Sequence, residues 1–166
     1  MTIKKLTQAT KEIMNYRNDI INNLLKFAVT DMLLFWGTDE KLQAQQAEQW
    51  EPVLVWAREE FGGKYKTTQS LDVQKENLES GEGLKKFLEK LSDRQLAAFY
   101  LAALNMRSVL LASALIKGKI NSEQAYKAAY LEEIFQAERW GQDSEAETRR
   151  KERKQELNDI EKFLKQ

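Results

Sequence analysis

At 166 residues the chain has the size of one domain, and 42% hydrophobic residues with four Trp are enough for a real core. Its 26 basic and 26 acidic residues cancel, so net charge gives no case for nucleic acid or a membrane surface. It has neither Cys nor His, which removes disulfides, thiol nucleophiles, the commonest general base and the commonest transition-metal ligand.

A single Pro and seven Gly beside abundant Leu, Ala, Glu, Lys and Gln point to an all-α chain. Spacings of three and four among Ile13, Ile20, Ile21, Leu24 and Phe27 predict a helix over about residues 7 to 28. The run Met32 to Trp36 reads as a buried helical turn or a short extended piece. Thr38 or Asp39 then caps a helix to about Phe61, ended by Gly62-Gly63. Pro52 inside it predicts a kink or break near Gln49 to Glu51, packed by Trp50 and Trp56 as core residues.

Residues 64 to 80 are polar and weakly periodic, with Lys64 to Thr68 a short strand or an extended linker. Helix resumes near Gly83 and ends at Leu91. Ser92 with Gln95 forms a capping box for the most apolar helix of the chain, running to about Lys117. Asn121 or Ser122 caps the next, expected to run unbroken to Trp140 before Gly141. Ser144 with Glu147 is a candidate box for a charged last helix to about Leu164. The expected fold is therefore a compact bundle of about five to seven helices, with residues 1–166 as one helical domain.

No apolar run reaches the length of a membrane span, and the N-terminal stretch lacks the apolar core of a secretory signal. The default location is the cytosol. Arg149, Arg150, Lys151, Arg153 and Lys154 are interleaved with acids and read as a solvated helix face. Carboxylate clusters without His have no di-iron spacing, and phosphate loops and nucleophile elbows are absent. No catalytic residue, metal ligand, cofactor or small-molecule substrate is expected.

The most distinctive stretch is Leu131 to Ala146. Glu132, Gln136 and Trp140 lie four apart and share a helix face, with Glu133 and Glu138 beside them. An aromatic among acceptors at a helix end suits a surface that meets another protein. On the residues alone, the chain is a helical interaction domain.

Three stretches resemble one family, the assembly chaperones of the catalytic sector of F-type ATP synthase of the type that holds the unassembled α subunit. Thr30-Asp31-Met32-Leu33-Leu34-Phe35 resembles its Thr-Asp-Leu-Leu-Tyr run. Gln46 to Trp56 resembles its Gln-x-x-x-Trp-Asp-Pro-Leu-Leu-x-Trp, with Glu51 at the Asp position. Leu131 to Gly141 resembles its Leu-Asp-Glu-x-x-Gln-x-Glu-x-Trp-Gly, with Glu132 at the first Asp. The likeness covers about residues 6 to 146. It implies a holdase for unassembled ATP synthase α, in the bacterial cytoplasm or, in a eukaryote, the mitochondrial matrix. Glu132, Glu133, Gln136, Glu138 and Trp140 are the expected client-binding set, and Trp50, Pro52 and Trp56 the expected structural set. The family usually carries a β-rich region ahead of the helical part, and this sequence starts almost directly at the helical part. The second reading is a helical adaptor with a different protein partner.

Overall fold

The computed structural model describes residues 2–79 and 81–166, which are mainly helical. α1 (Thr2–Val29) is followed by a 3-10 turn (Met32–Leu34) and α2 (Glu40–Phe61). An extended segment and a second 3-10 turn (Lys75–Glu79) lead to α3 (Gly81–Lys90) and α4 (Asp93–Met106). Then come α5 (Val109–Ile116), α6 (Ser122–Ala129), α7 (Leu131–Trp140) and α8 (Ser144–Leu164). Ser80, the end of the polar stretch, lies outside the described residues. Among those residues no helix is long and apolar enough to cross a membrane.

The core is centred on α4 and α5. α4 packs on α1, α5 and α8, while α5 also meets α2 and α6. Leu96, Phe99, Leu110 and Leu111 are completely buried. Each such side chain contributes roughly 1.5–3 kcal/mol of burial free energy. The small residues Ala97, Ala98, Ala102 and Ala103 let neighbouring helices come close on several sides of α4.

The bundle has eight α-helices among the described residues, against five to seven expected, because two apolar runs are divided. The run from Ser92 to Lys117 breaks at Arg107, which takes a left-handed conformation (φ 55°). Ser108 then caps α5, its Oγ accepting from Leu111 N–H at 3.0 Å. The reason for the break is distant in sequence. Asp31 is fully buried and accepts from Ser108 Oγ at 2.7 Å, from Leu110 N–H at 2.9 Å and from Leu33 N–H at 3.0 Å. The free N–H groups and positive dipole end of α5 are suited to a carboxylate. Burial nevertheless dominates and pushes the Asp31 carboxyl up to about 6, despite the opposing hydrogen bonds.

The second division lies at Tyr130 (φ −105°, ψ 17°), between α6 and α7. Its hydroxyl donates to the backbone oxygen of Asn105 at 2.7 Å, which ties the junction to α4.

Pro52 does not break its helix: α2 runs from Glu40 to Phe61 with Pro52 inside it. Pro52 and Glu48 are both exposed, so water is available to the Glu48 carbonyl that loses its donor. The residue that leaves helical geometry is Tyr16 in α1 (φ −131°, ψ 30°). Beside it, Arg17 reaches the end of α3, donating to the carbonyls of Leu91 and Glu89 and pairing with Asp93 at 2.8 Å. A cation there complements the negative end of the α3 dipole.

Asp39 caps α2, the expected box at Ser92 is formed, and the cap at Asn121 turns out to be a box as well, with Gln124. The cap of α8 is Asp143, not Ser144: its side chain accepts from Glu145 N–H at 3.0 Å. Phe35 is extended and pairs with Thr68, so the 64–68 region is an extended linker with one bridge. Gly83 is required by packing, since a Cβ there would lie 1.9 Å from the Phe61 carbonyl oxygen.

Candidate functional site

The three distinctive stretches converge around the start of α7. From the first, Asp31 anchors α5. From the second, Gln46 is fully buried on the apolar face of α2. Its Oε1 accepts from Gly37 N–H at 3.2 Å, and its Nε2 donates to Glu132 Oε1 at 3.1 Å. One turn along, Trp50 is also fully buried and donates from Nε1 to Ala128 O at 2.8 Å, with Trp36 edge-on at 6.2 Å. Trp50 is thus enclosed in the bundle interior. Trp56 is half-buried and packs against the core, edge-on to Phe61 at 5.5 Å.

Because α7 begins at Leu131, Glu132 and Glu133 occupy its first turn, where acidic groups complement the dipole. Had α6 and α7 been one helix, both would have lain nearer an unfavourable C-terminus. Glu133 sits between two guanidiniums, Arg107 at 3.6 Å and Arg150 at 3.8 Å. Arg150 is buried, so the expected solvated face of α8 is incomplete: this cation points inward and also donates to Gln142 at 3.3 Å. Its position seven residues before the buried Leu157 was the sequence signal for that.

Glu132, Glu133, Gln136 and Trp140 line one groove with Met32 and Arg107. Glu138 does not share it. It lines a depression on the other side of α7, with Asp39, Phe135 and Arg139. Trp140 is 76% exposed, and Gln136 and Glu138 are also open to solvent. The end of α7 is nonetheless held. Arg139 pairs with Asp39 at 2.6 Å and lies 5.6 Å from the centre of the Trp140 ring. The Arg139 guanidinium, helped by the Leu42 N–H, holds the Asp39 carboxyl below its ordinary range. Gly141 (φ 103°) then turns the chain away.

The site is thus a groove with a fixed carboxylate wall and an exposed indole at its end. Among the described residues no group of three or more acidic side chains is placed to hold a metal ion. The residues missed by sequence reasoning are Asp31, Gln46, Arg107 and Arg150. Gln46 was discoverable as the one polar side chain four residues from Leu42 and from Trp50 on a buried stripe.

The profile of the ATP12 chaperone protein family matches residues 1–58. The mitochondrial protein atp12 of Schizosaccharomyces pombe is 31% identical over 129 residues, covering 71% of this chain and 43% of that protein. The chain therefore spans less than half the length of this curated relative. The crystal structure of Atp12 from Paracoccus denitrificans superposes with a TM-score of 0.87 at 26% identity, covering 99% of this chain and 71% of that one. A solved Agrobacterium tumefaciens protein superposes with a TM-score of 0.88 at 27% identity, covering 99% and 63% of the two chains.

Proposed function

This chain belongs to the ATP12 chaperone family, and from that premise we propose that it is a holdase in assembly of the catalytic sector of F-type ATP synthase. Its client is the unassembled α subunit, which it shields until β subunits take its place. It acts by binding alone, with no cofactor and no catalytic step, in the bacterial cytoplasm or the mitochondrial matrix.

The observation that carries the reading is Trp140. An indole 76% exposed at the end of a braced helix has no packing role in the bundle. Large amphipathic aromatics at rigid positions are typical anchors of protein interfaces. Gln136 and Glu138 add a polar rim that a client can satisfy and that water can reclaim on release. Glu132 and Glu133 complete the client-binding set chiefly by fixing the groove wall. A holdase must lose its client to the correct partner, and an interface with one aromatic anchor and a wet rim favours such exchange.

The test is a pull-down with purified α and β subunits, with light scattering to follow α aggregation. The chain is expected to capture free α, suppress its aggregation and release it when β is added. Capture of neither subunit, with retention of a different protein, would replace this reading with a helical adaptor.

A further inference from the structure

A second cleft, of about 630 Å³, lies on the other side of Glu133, between α4, the α6–α7 junction and α8. Five cations line it: Lys5, Arg107, Arg149, Arg150 and Arg153. Only two carboxylates, Glu133 and Glu156, face them. In a chain with 26 basic and 26 acidic residues, three excess charges in one cleft are a local concentration of positive charge.

The pairing inside the cleft leaves that excess unanswered. Lys5 takes Glu156 at 3.0 Å. Glu133 is shared by Arg107 and Arg150 at 3.6 and 3.8 Å, longer than direct hydrogen bonds. Among the described residues, the guanidiniums of Arg149 and Arg153 make no hydrogen bond or ion pair, although Arg153 is half-buried. A partly desolvated cation without a partner costs free energy that an incoming anion recovers. The floor is rigid. Asn105 Nδ2 donates to Arg153 O at 3.1 Å and to Glu156 Oε1 at 3.0 Å, and Tyr130 closes the network from the α6–α7 junction. Leu101 and the 52% exposed Leu104 give the α4 side an apolar wall.

We propose that this cleft receives an acidic segment of the protein client, its carboxylates on Arg149 and Arg153 and an apolar side chain against Leu104. Arg149 and Arg153 are one helical turn apart, so they match carboxylates spaced along a chain better than a single small anion. Guanidinium forks bind carboxylates in two-point fashion, which suits a segment that must be held without being folded. The proposal rests on the reading that the chain holds a protein client, and it adds a basic contact to the Trp140 groove.

The test uses the full chain and a short labelled peptide of alternating Glu and Leu, followed by fluorescence anisotropy. The same peptide with Gln for Glu is the control. The variant is Arg149→Gln with Arg153→Gln, which orphans no partner; a thermal melt confirms its fold. The peptide is expected to bind, to bind roughly tenfold more weakly to the variant and at raised salt, and to bind better than the Gln control. Equal affinity for wild type and variant, or no binding, overturns the proposal. So does displacement by inorganic phosphate or a single-stranded oligonucleotide at concentrations similar to the peptide's. Capture of the α subunit is measured in parallel. If capture persists while peptide binding fails, only the cleft proposal falls; if the peptide binds and α is not captured, the chaperone reading falls and the cleft stands.

Discussion

In the first turn of α7, Glu132 is held by the buried Gln46 amide and Glu133 by the guanidiniums of Arg107 and Arg150. At the other end of the same helix, Gln136, Glu138 and Trp140 make no side-chain hydrogen bond or ion pair among the described residues, and all three are exposed. In sequence the two ends read as one motif of acids, an amide and an aromatic at helical spacing. Structure separates them into a pinned half that positions the helix and an open half that is accessible to a partner. A motif can therefore be distinctive for two reasons at once, and substitutions within it should fall into two classes.

The pinned half depends most on Trp50, which bonds Ala128 just ahead of α7 and fills the space beside Trp36. Trp50→Ala should cost about 3–5 kcal/mol, the range for truncating a buried aromatic. Urea denaturation measures it. A loss below about 1 kcal/mol would mean that the start of α7 is not braced from α2.

Asp31 comes next, because it fixes the Arg107–Ser108 turn from which Arg107 reaches Glu133. Its carboxyl titrates near 6 in the fold against an ordinary 3.8, so the folded state binds more protons between those values. Stability from this group is present at low pH and is lost as pH rises through about 6, by an amount on the order of 3 kcal/mol. The difference in unfolding free energy between wild type and Asp31→Asn, measured from pH 4 to pH 7, should shift against wild type across that window. A pH-independent difference would show that Asp31 stays ionised throughout.

Charge reversal at Glu133 tests the pinned half directly. Glu133→Lys sets a third cation beside Arg107 and the buried Arg150, and should cost about 1–3 kcal/mol. Glu138→Lys, on the exposed side of the same helix, should leave the melting temperature nearly unchanged. Equal melting temperatures for both variants would erase the distinction between the halves.

How much of this was legible follows from which forces were local. Caps at Asp39, Ser92 and Asn121 were readable because the acceptor and the N–H it serves are two or three residues apart. The core run was readable because burial follows composition. The breaks at Arg107 and Tyr130 were not, since neither is glycine or proline. The cause at Arg107 is a carboxylate 77 residues from Ser108, and at Tyr130 a hydroxyl reaching 25 residues back to Asn105. At Pro52 the helix continues without a break for the converse reason: the local penalty is real, but it falls on the exposed side of α2. For the candidate site, the helix and its aromatic end were legible. Which carboxylates were engaged was not, because Gln46 and Arg150 come from other helices.

The smallest expected effect on stability is the most decisive for function. Trp140 is 76% exposed, and its ring contacts the Arg139 guanidinium, which keeps its own pairing with Asp39 without the indole. Trp140→Ala should therefore change unfolding free energy by less than about 0.5 kcal/mol, as is usual for an exposed site away from the core. Capture of the α subunit should fall by tenfold or more, since loss of one aromatic anchor commonly costs about 2 kcal/mol of binding. The two measurements together decide the comparison. If Trp140→Ala destabilises the fold as Trp50→Ala does, the end of α7 is structural and both halves serve packing. If it leaves both stability and capture unchanged, the groove is not the client surface, and the basic cleft beyond Glu133 becomes the first place to look.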